Sequence, residues 1–310
     1  MRIVLVGLGT VGRAVAERLR ELRVPGFAPR LVAAADSQGA WIDRSGLDFA
    51  ALRKDAPRHA GVLEAIEEAE ADVVIEAAPT VLSAPGAAIE RLRAAFRSGK
   101  HVVCVNKAPL ATAMPALVEL ARYNRVQFRF SGTVGGGTPV LDWAARCAEG
   151  DRILGLRAIL NGTTNYILSR MEEGATFDAA LAEAQEKGYA ERDPSMDVDG
   201  IDTAVKLVIL ANAVLGRRSV LSDVAVRGIR GAGGGTVRLV GEIGERLSVA
   251  PREMDPRSPF AVRGTLNAVQ LTLQNTGEVT LVGRGAGGRE TATAVVRDLL
   301  SIWHRHWEER

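Results

Sequence analysis

The chain opens "MRIVLVGLGTVGRAVAERLREL" and places Gly7, Gly9 and Gly12 as G-x-G-x-x-G between an apolar run and an amphipathic one. Glycine is needed at each place for a different reason. Gly7 permits the tight turn, Gly9 lets the backbone approach a pyrophosphate, and Gly12 lets the helix lie close to the strand. Thr10 and Val11 begin the helix, whose N-terminus would face the phosphates. Val11, Val15, Leu19 and Leu22 gather near one face, with Glu17, Arg18, Arg20 and Glu21 largely opposite. Asp36 closes a second apolar strand, "RLVAAAD", where an acid would meet a ribose. The chain is therefore expected to bind a dinucleotide. Asp36 favours NAD over NADP, because a carboxylate bonds ribose hydroxyls and repels a 2'-phosphate. Ser37 and Gln38 follow without a cation, while Arg44, Arg53 and Lys54 further on leave NADP open.

"ADVVIEAAP", "HVVCVNK" and "VQFRFSGTV" read as further strands, with a helix in "APGAAIERLRAAFRSGK". Such alternation predicts a doubly wound parallel α/β sheet of Rossmann type. After about residue 140 helical patterns dominate, in "PVLDWAARCAE", "NYILSRMEEG", "TFDAALAEAQEKG" and "DTAVKLVILANAVL". Strand patterns return around Leu154 to Leu160 and in "NAVQLTLQN" and "EVTLVGRG". A second, α+β domain with a mixed or antiparallel sheet is expected there. The Gly-rich "RGIRGAGGGTVRLVGEIG" reads as a loop, and "TATAVVRDLLSIWHRHW" as a last amphipathic helix.

The 310 residues, 47% apolar, suffice for two cores. With 39 basic against 37 acidic residues, no basic block and 5% aromatics, neither the charge nor the stacking surface that nucleic acid needs is present. Two cysteines, Cys104 and Cys147, provide neither a disulfide framework nor a zinc site. Without a signal peptide or a membrane-length apolar run, a soluble cytoplasmic protein is expected.

One stretch is odd for a core helix. "YAERDPSMDVDGIDTAVKLVILA" carries Glu191, Asp193, Asp197, Asp199 and Asp202 into an apolar segment, with Lys206 at the junction. A calcium loop fails on frame, since its first ligand would be Ser195 and its twelfth Lys206. A solvated helix start with an i,i+4 pair is the plain alternative. Elsewhere, Lys107 in "VVCVNKAPLA" and Ala78, Pro79 and Thr80 in "EAAPT" fall at carboxyl ends of strands, where ligands bind in this architecture. "SGTVGGGTP" and "NGTTNYIL" each present small residues and free amides before a helix, which suits an anion.

Taken in order, "GLGTVG", "DSQGA", "EAAPT", "VNKAPLA", "TVGGGTP", "LNGTTNYIL", "GYAERDPSMDVDGIDTAVKLVILA" and "GRGAGGRETATAVVRDLL" resemble homoserine dehydrogenase across nearly the whole chain. The resemblance implies NAD(P)-dependent interconversion of L-homoserine and L-aspartate 4-semialdehyde, on the shared branch to threonine, methionine and isoleucine. It implies a nucleotide-binding domain over residues 1–140 and 286–310, a catalytic and dimerisation domain over 141–285, and a homodimer. It also implies a short form without aspartate kinase or a C-terminal regulatory domain. The acidic stretch then becomes a substrate site. Lys206 and Lys107 are the implied proton-transferring lysines, since a lysine in a partly dry site gives up its charge more readily than one in water. Asp202 would orient a lysine or a water. Glu191 and Asp197 would hold the substrate ammonium, and Gly162, Thr163 and Tyr189 would contact the substrate. Gly285, Ala286 and Gly287 would lie beside the nicotinamide.

One departure concerns a monovalent cation. Many relatives have Glu-Ala before T-V-G-G-G, where this chain has Ser131-Gly132. The carbonyls of Val134, Gly136 and Thr138 would remain as donors for Na+ or K+. Competing readings are a related amino-acid oxidoreductase and a non-catalytic dinucleotide sensor. Aspartate semialdehyde dehydrogenase would need a nucleophilic cysteine, and neither Cys104, mid-strand, nor Cys147, in a helical run, is placed as one.

Overall fold

A computed structural model describes residues 1–48, 58–233 and 235–305. Two units emerge, Val134–Ala286 and, around it in sequence, Met1–Thr133 together with the chain from Gly287 onward.

The first unit is built on strands β1 (Arg2–Val6), β2 (Arg30–Asp36), β3 (Gly39–Ile42), β4 (Val73–Glu76), β5 (His101–Cys104) and β6 (Phe128–Arg129). Their order in the sheet is β3-β2-β1-β4-β5-β6. All neighbours are parallel except β3, which returns antiparallel to β2 as a hairpin. Alternation along β1 sends its side chains to two cores. Val4 and Val6 join Ile66, Leu92, Phe96 and Leu117 from α2 (Val62–Glu68), α3 (Gly86–Arg97) and α4 (Lys107–Tyr123). Ile3 and Leu5 join Val15 of α1 (Thr10–Glu21) and Val295, Leu299 and Ile302 of α10 (Gly288–Trp303). The sheet is thus covered on both faces, and the expected doubly wound architecture is what forms.

The second unit has a six-stranded sheet ordered β12-β11-β7-β9-β10-β8. Its strands are β7 (Ile153–Ile159), β8 (Val224–Val226), β9 (Val237–Ile243), β10 (Leu247–Glu253), β11 (Leu266–Leu273) and β12 (Gly277–Arg284). Its pairings are antiparallel apart from β8 with β10. The helices are α5 (Val140–Cys147), α6 (Gly162–Glu172), α7 (Phe177–Glu186), α8 (Ser195–Val198) and α9 (Ile201–Leu215). Helix α9 is bounded by Gly200 and Gly216, both in the left-handed region at φ 84° and 64°. Every residue from Asp202 to Ala211 is buried, so the helix is a central one, apolar there apart from Asp202, Thr203 and Lys206. Val205, Leu207, Val208, Ile209 and Leu210 are at most 1% exposed. Each such burial is worth on the order of 1.5–3 kcal/mol, enough together to carry a buried ion pair along.

Two sequence expectations need correction. The Gly-rich stretch expected as a loop ends in β9, paired on both sides by β7 and β10. A Cβ on Gly241 would lie 3.0 Å from a methyl of Leu207 on α9, so this glycine is a close-packing residue within a strand. The strand expected in "VQFRFSGTV" shrinks to Phe128–Arg129, because Ser131–Thr133 turn into a 3-10 helix. The segment after Lys107 is a 17-residue helix, α4, bent at Ala113 ahead of Pro115.

Candidate active site

In the first unit the glycine turn does what its spacing promises. Gly7 sits at φ +96°, and a Cβ there would fall 2.4 Å from the Ala77 backbone. A Cβ on Gly12 would fall 1.9 Å from the Gly7 carbonyl oxygen, so the helix can approach the turn only as glycine. Gly9 is the residue before α1, and a Cβ there would meet nothing within 4 Å. Its outer side is open, as a backbone that receives a phosphate must be. Thr10 and Val11 form the first turn of α1.

A cavity of about 670 Å³ adjoins this turn, lined among others by Gly7, Gly9, Asp36, Trp41, Ala78 and Pro79. Thr80 accepts a hydrogen bond from the Lys107 backbone N–H at 3.2 Å. The floor is a buried polar network. Glu76, wholly buried at the end of β4, takes two bonds from the Arg91 guanidinium at 2.7 and 2.9 Å. The Asn106 amide donates to the same carboxylate at 3.2 Å and to the Pro79 carbonyl at 3.3 Å. Its oxygen accepts from Ala108 N–H at 3.1 Å and so caps α4, of which Lys107 is the first residue. The bond with Glu76 is the largest reason that the Arg91 guanidinium is held above its ordinary range. Cys104 lies wholly buried on β5, and burial, then the Glu76 charge, pushes its thiol well up, so it is inert.

Asp36 lines the cavity and already has a cationic partner. Arg58 donates to it at 2.5 Å and lies over the Trp41 ring, 4.3 Å from the centroid, on the same cavity wall. Burial opposes the Asp36 charge, but Arg58 and the backbone N–H groups of Gln38 and Gly39 outweigh it and hold the carboxyl below its usual range. Of the cations considered from sequence, Arg44 pairs with Glu70 at 3.3 Å, and Arg53 and Lys54 lie outside the described residues. Sequence reasoning missed Arg58, because it reaches Asp36 only through the bridge between Ala40 and Ala60 beyond the β2–β3 hairpin.

The second unit carries the acidic stretch. Lys206, 6% exposed, pairs with Asp202 at 2.6 Å and donates to the Leu160 carbonyl at 2.7 Å. The Asn161 amide donates to Asp197 at 2.6 Å and to Asp202 at 2.9 Å. Burial pushes the Asp197 carboxyl up, against the Asn161 bond, and the nearby Asp202 charge pushes it further. Thr163, on the first turn of α6, donates to the Tyr189 carbonyl at 2.6 Å, and the Tyr189 ring meets Tyr166 edge-on at 5.0 Å. A Cβ on Gly162 would press within 2.9 Å of the Thr265 carbonyl oxygen. Asp197, Asp202, Lys206 and Thr163 are thus brought together, with Asn161 as a member that sequence reasoning passed over; its only signal was a helix-capping position. Glu191 is exposed, and its backbone carbonyl accepts from Gln185. Asp193 accepts from Ser195, and Asp199 pairs with Arg230, as surface residues do.

Gly285 and Ala286 follow β12, and a Cβ on Gly136 would come within about 3 Å of both. Gly287, at φ 133°, caps α10. Val134 is buried, and the Thr138 carbonyl already accepts from Val140 N–H at 2.8 Å. Among the described residues no group of three or more His, Cys, Asp or Glu could hold a metal ion. Nor is any helix among them long and apolar enough to cross a membrane.

Comparison with known proteins places these features in company. Residues 7–131 match the family described as homoserine dehydrogenase, NAD binding domain, and residues 139–300 the family described as homoserine dehydrogenase. A homoserine dehydrogenase of Methanocaldococcus jannaschii is 39% identical over 98% of this chain and 99% of its own. An NAD(+)-dependent homoserine dehydrogenase of Pseudomonas canavaninivorans is 36% identical over 97% and 96%. Among solved structures, a hyperthermophilic archaeal homoserine dehydrogenase in complex with NADPH superposes with a TM-score of 0.87 at 31% identity, covering 98% of each chain.

Proposed function

The chain belongs to the homoserine dehydrogenase family, and on that premise we propose how its residues divide the work. It is an NAD(P)-dependent oxidoreductase that interconverts L-homoserine and L-aspartate 4-semialdehyde. The first unit holds the dinucleotide, through Gly7, Gly9, Thr10, Val11 and Gly12 at the pyrophosphate, Asp36 at the ribose and Ala78, Pro79 and Thr80 along the wall. The bound dinucleotide supplies the hydride acceptor or donor.

The buried Lys206–Asp202 pair carries the assignment of the chemistry to the second unit. Lys206 donates both bonds, to the Asp202 carboxylate and the Leu160 carbonyl, which fixes where its ammonium points. In the reductive direction, as hydride reaches C4, the carbonyl oxygen gains negative charge and takes a proton from Lys206. Oxidation reverses this, with the hydroxyl proton returning to the amine. Lys107 is the second lysine available for that exchange. Asp202 orients Lys206, Asp197 and Glu191 receive the substrate ammonium, and Gly162, Thr163 and Tyr189 bound its polar end. Gly285, Ala286 and Gly287 serve the nicotinamide side. No step requires a cation on the carbonyls of Val134, Gly136 and Thr138.

The test is to mix the protein with L-homoserine and NAD or NADP and follow the absorbance of the reduced nicotinamide. Silence with both, despite dinucleotide binding, would favour the sensor reading. The same assay reads cofactor choice. Asp36 favours NAD, but Arg58 offers a 2'-phosphate a cation. Arg58→Ala is expected to raise the NAD:NADP ratio of kcat/KM by roughly 10- to 100-fold, the worth of one bond to a charged group, and Asp36→Ala to lower it. An unchanged ratio in Arg58→Ala would leave Arg58 as a partner of Asp36 alone.

A homodimer is the assembly we favour. On the second sheet, Val282 stands opposite Ala268, which is buried in one cluster with Ile159, Val240 and Phe260. Val282 is 42% exposed there on the edge strand β12. Light scattering should give twice the chain mass, and Val282→Lys should lower it; a wild-type monomer at micromolar concentration would end this reading. Two unpaired cysteines support a cytoplasmic location.

A further inference from the structure

Leu160 and Asn161 leave β7 and enter α6 directly against the Lys206–Asp202 pair. The Leu160 carbonyl takes the ammonium, while the Asn161 amide takes the counter-carboxylate. Only an amide side chain combines an acceptor with two donors, and Asn161 uses all of them. Its oxygen accepts from Thr164 N–H at 2.9 Å and from the Thr164 hydroxyl at 3.2 Å, capping α6. Its two hydrogens go one each to Asp197 and Asp202. The charged groups meeting here are Asp197 from α8 and Asp202 and Lys206 from α9, with the Thr163 hydroxyl beside Asp197. Two carboxylates this close repel, and a shared neutral donor between them offsets that repulsion.

We infer that Asn161 is a positioning residue, whose amide holds Asp197 and Asp202 side by side and, through Asp202, aims the Lys206 ammonium. The inference rests on the catalytic reading of Lys206 given above. A helix cap alone would not need it: serine or aspartate caps as well as asparagine, yet neither can donate to both carboxylates.

Asn161→Ser keeps a capping oxygen and loses the bridge. Its kcat is expected to fall roughly 10- to 100-fold, the scale of a misplaced catalytic group. Dinucleotide affinity should not change. Because the lost bonds favoured the charged carboxylates, the acid limb of the pH–rate profile should move up by about half to one pH unit. Asn161→Asp, which also caps, places a third carboxylate beside the pair and should move the limb further. A titration of the aspartate carboxyl carbons by NMR reads the same shift at Asp197 without any turnover. If the wild type reduces neither NAD nor NADP with L-homoserine, the catalytic reading fails, while the NMR shift still reports on the bridge. Asn161→Ser with wild-type kcat, acid limb and Asp197 titration would reduce Asn161 to a helix cap and overturn the inference.

Discussion

Lys206→Ala is expected to cut turnover of L-homoserine by about 10²- to 10⁴-fold, the usual contribution of a positioned acid–base group, while leaving NAD(P) affinity unchanged. The cavity beside the glycine turn has no lining residue from α9, so the cofactor should not register the loss. The truncation also leaves Asp202, 9% exposed, without its ammonium. Removing one partner from a buried pair costs about 3–5 kcal/mol, so part of the lost activity could come from unfolding. Lys206→Gln separates the effects: its amide can donate to the Leu160 carbonyl or to Asp202, yet it cannot deliver a proton. Equal loss in both variants, with Gln showing the smaller drop in urea midpoint, is the expected pattern. Unchanged turnover in either would remove Lys206 from the chemistry.

The second large effect concerns stability. Glu76→Ala should destabilise the first unit by on the order of 3 kcal/mol, the lower end for a broken buried pair, because Arg91 lines the cavity and can reach water there. Three bonds disappear together, two from Arg91 and one from Asn106, and the start of α4 loses the anchor of its capping residue. The readout is a lower urea midpoint at unchanged slope. Replacing Glu76 and Arg91 together by Leu and Met should recover part of the loss, since two apolar groups leave no charge unpaired. If recovery is complete but turnover stays low, the network serves Lys107 more than it serves the fold. A Glu76→Ala midpoint equal to wild type would show that the network holds nothing.

Local periodicity and local spacing were legible; chain closure over longer distances was not. The alternation in β1 and the glycines at 7, 9 and 12 report on atoms a few residues away, and the first sheet follows from them. Asp202 and Lys206 are one helical turn apart, so their ion pair could be read from spacing alone. Asn161 is 36 and 41 residues from its carboxylate partners, and nothing local marks it beyond a capping position. Arg58 likewise meets Asp36 only after a hairpin whose pairing is tertiary. The misread of β9 has a different cause. Glycine weighs against a strand by propensity, but at Gly241 the approach of Leu207 decides, and that contact comes from an element earlier in the chain.

The helix that completes the first unit comes from the far end of the chain. Val295, Leu299 and Ile302 of α10 cover the same face as Ile3, Leu5 and Val15, and Asp298, 1% exposed, takes two bonds from Ser131. During synthesis only α1 is there to cover that face while the whole second unit emerges, which at common elongation rates lasts roughly ten to thirty seconds. The second unit has no such debt to the C-terminus, since its strands and helices lie within Val134–Ala286. The part of the chain made first is therefore the part that finishes folding last, and the nascent polypeptide has to keep a half-covered sheet face soluble on the ribosome until Gly288–Trp303 arrives.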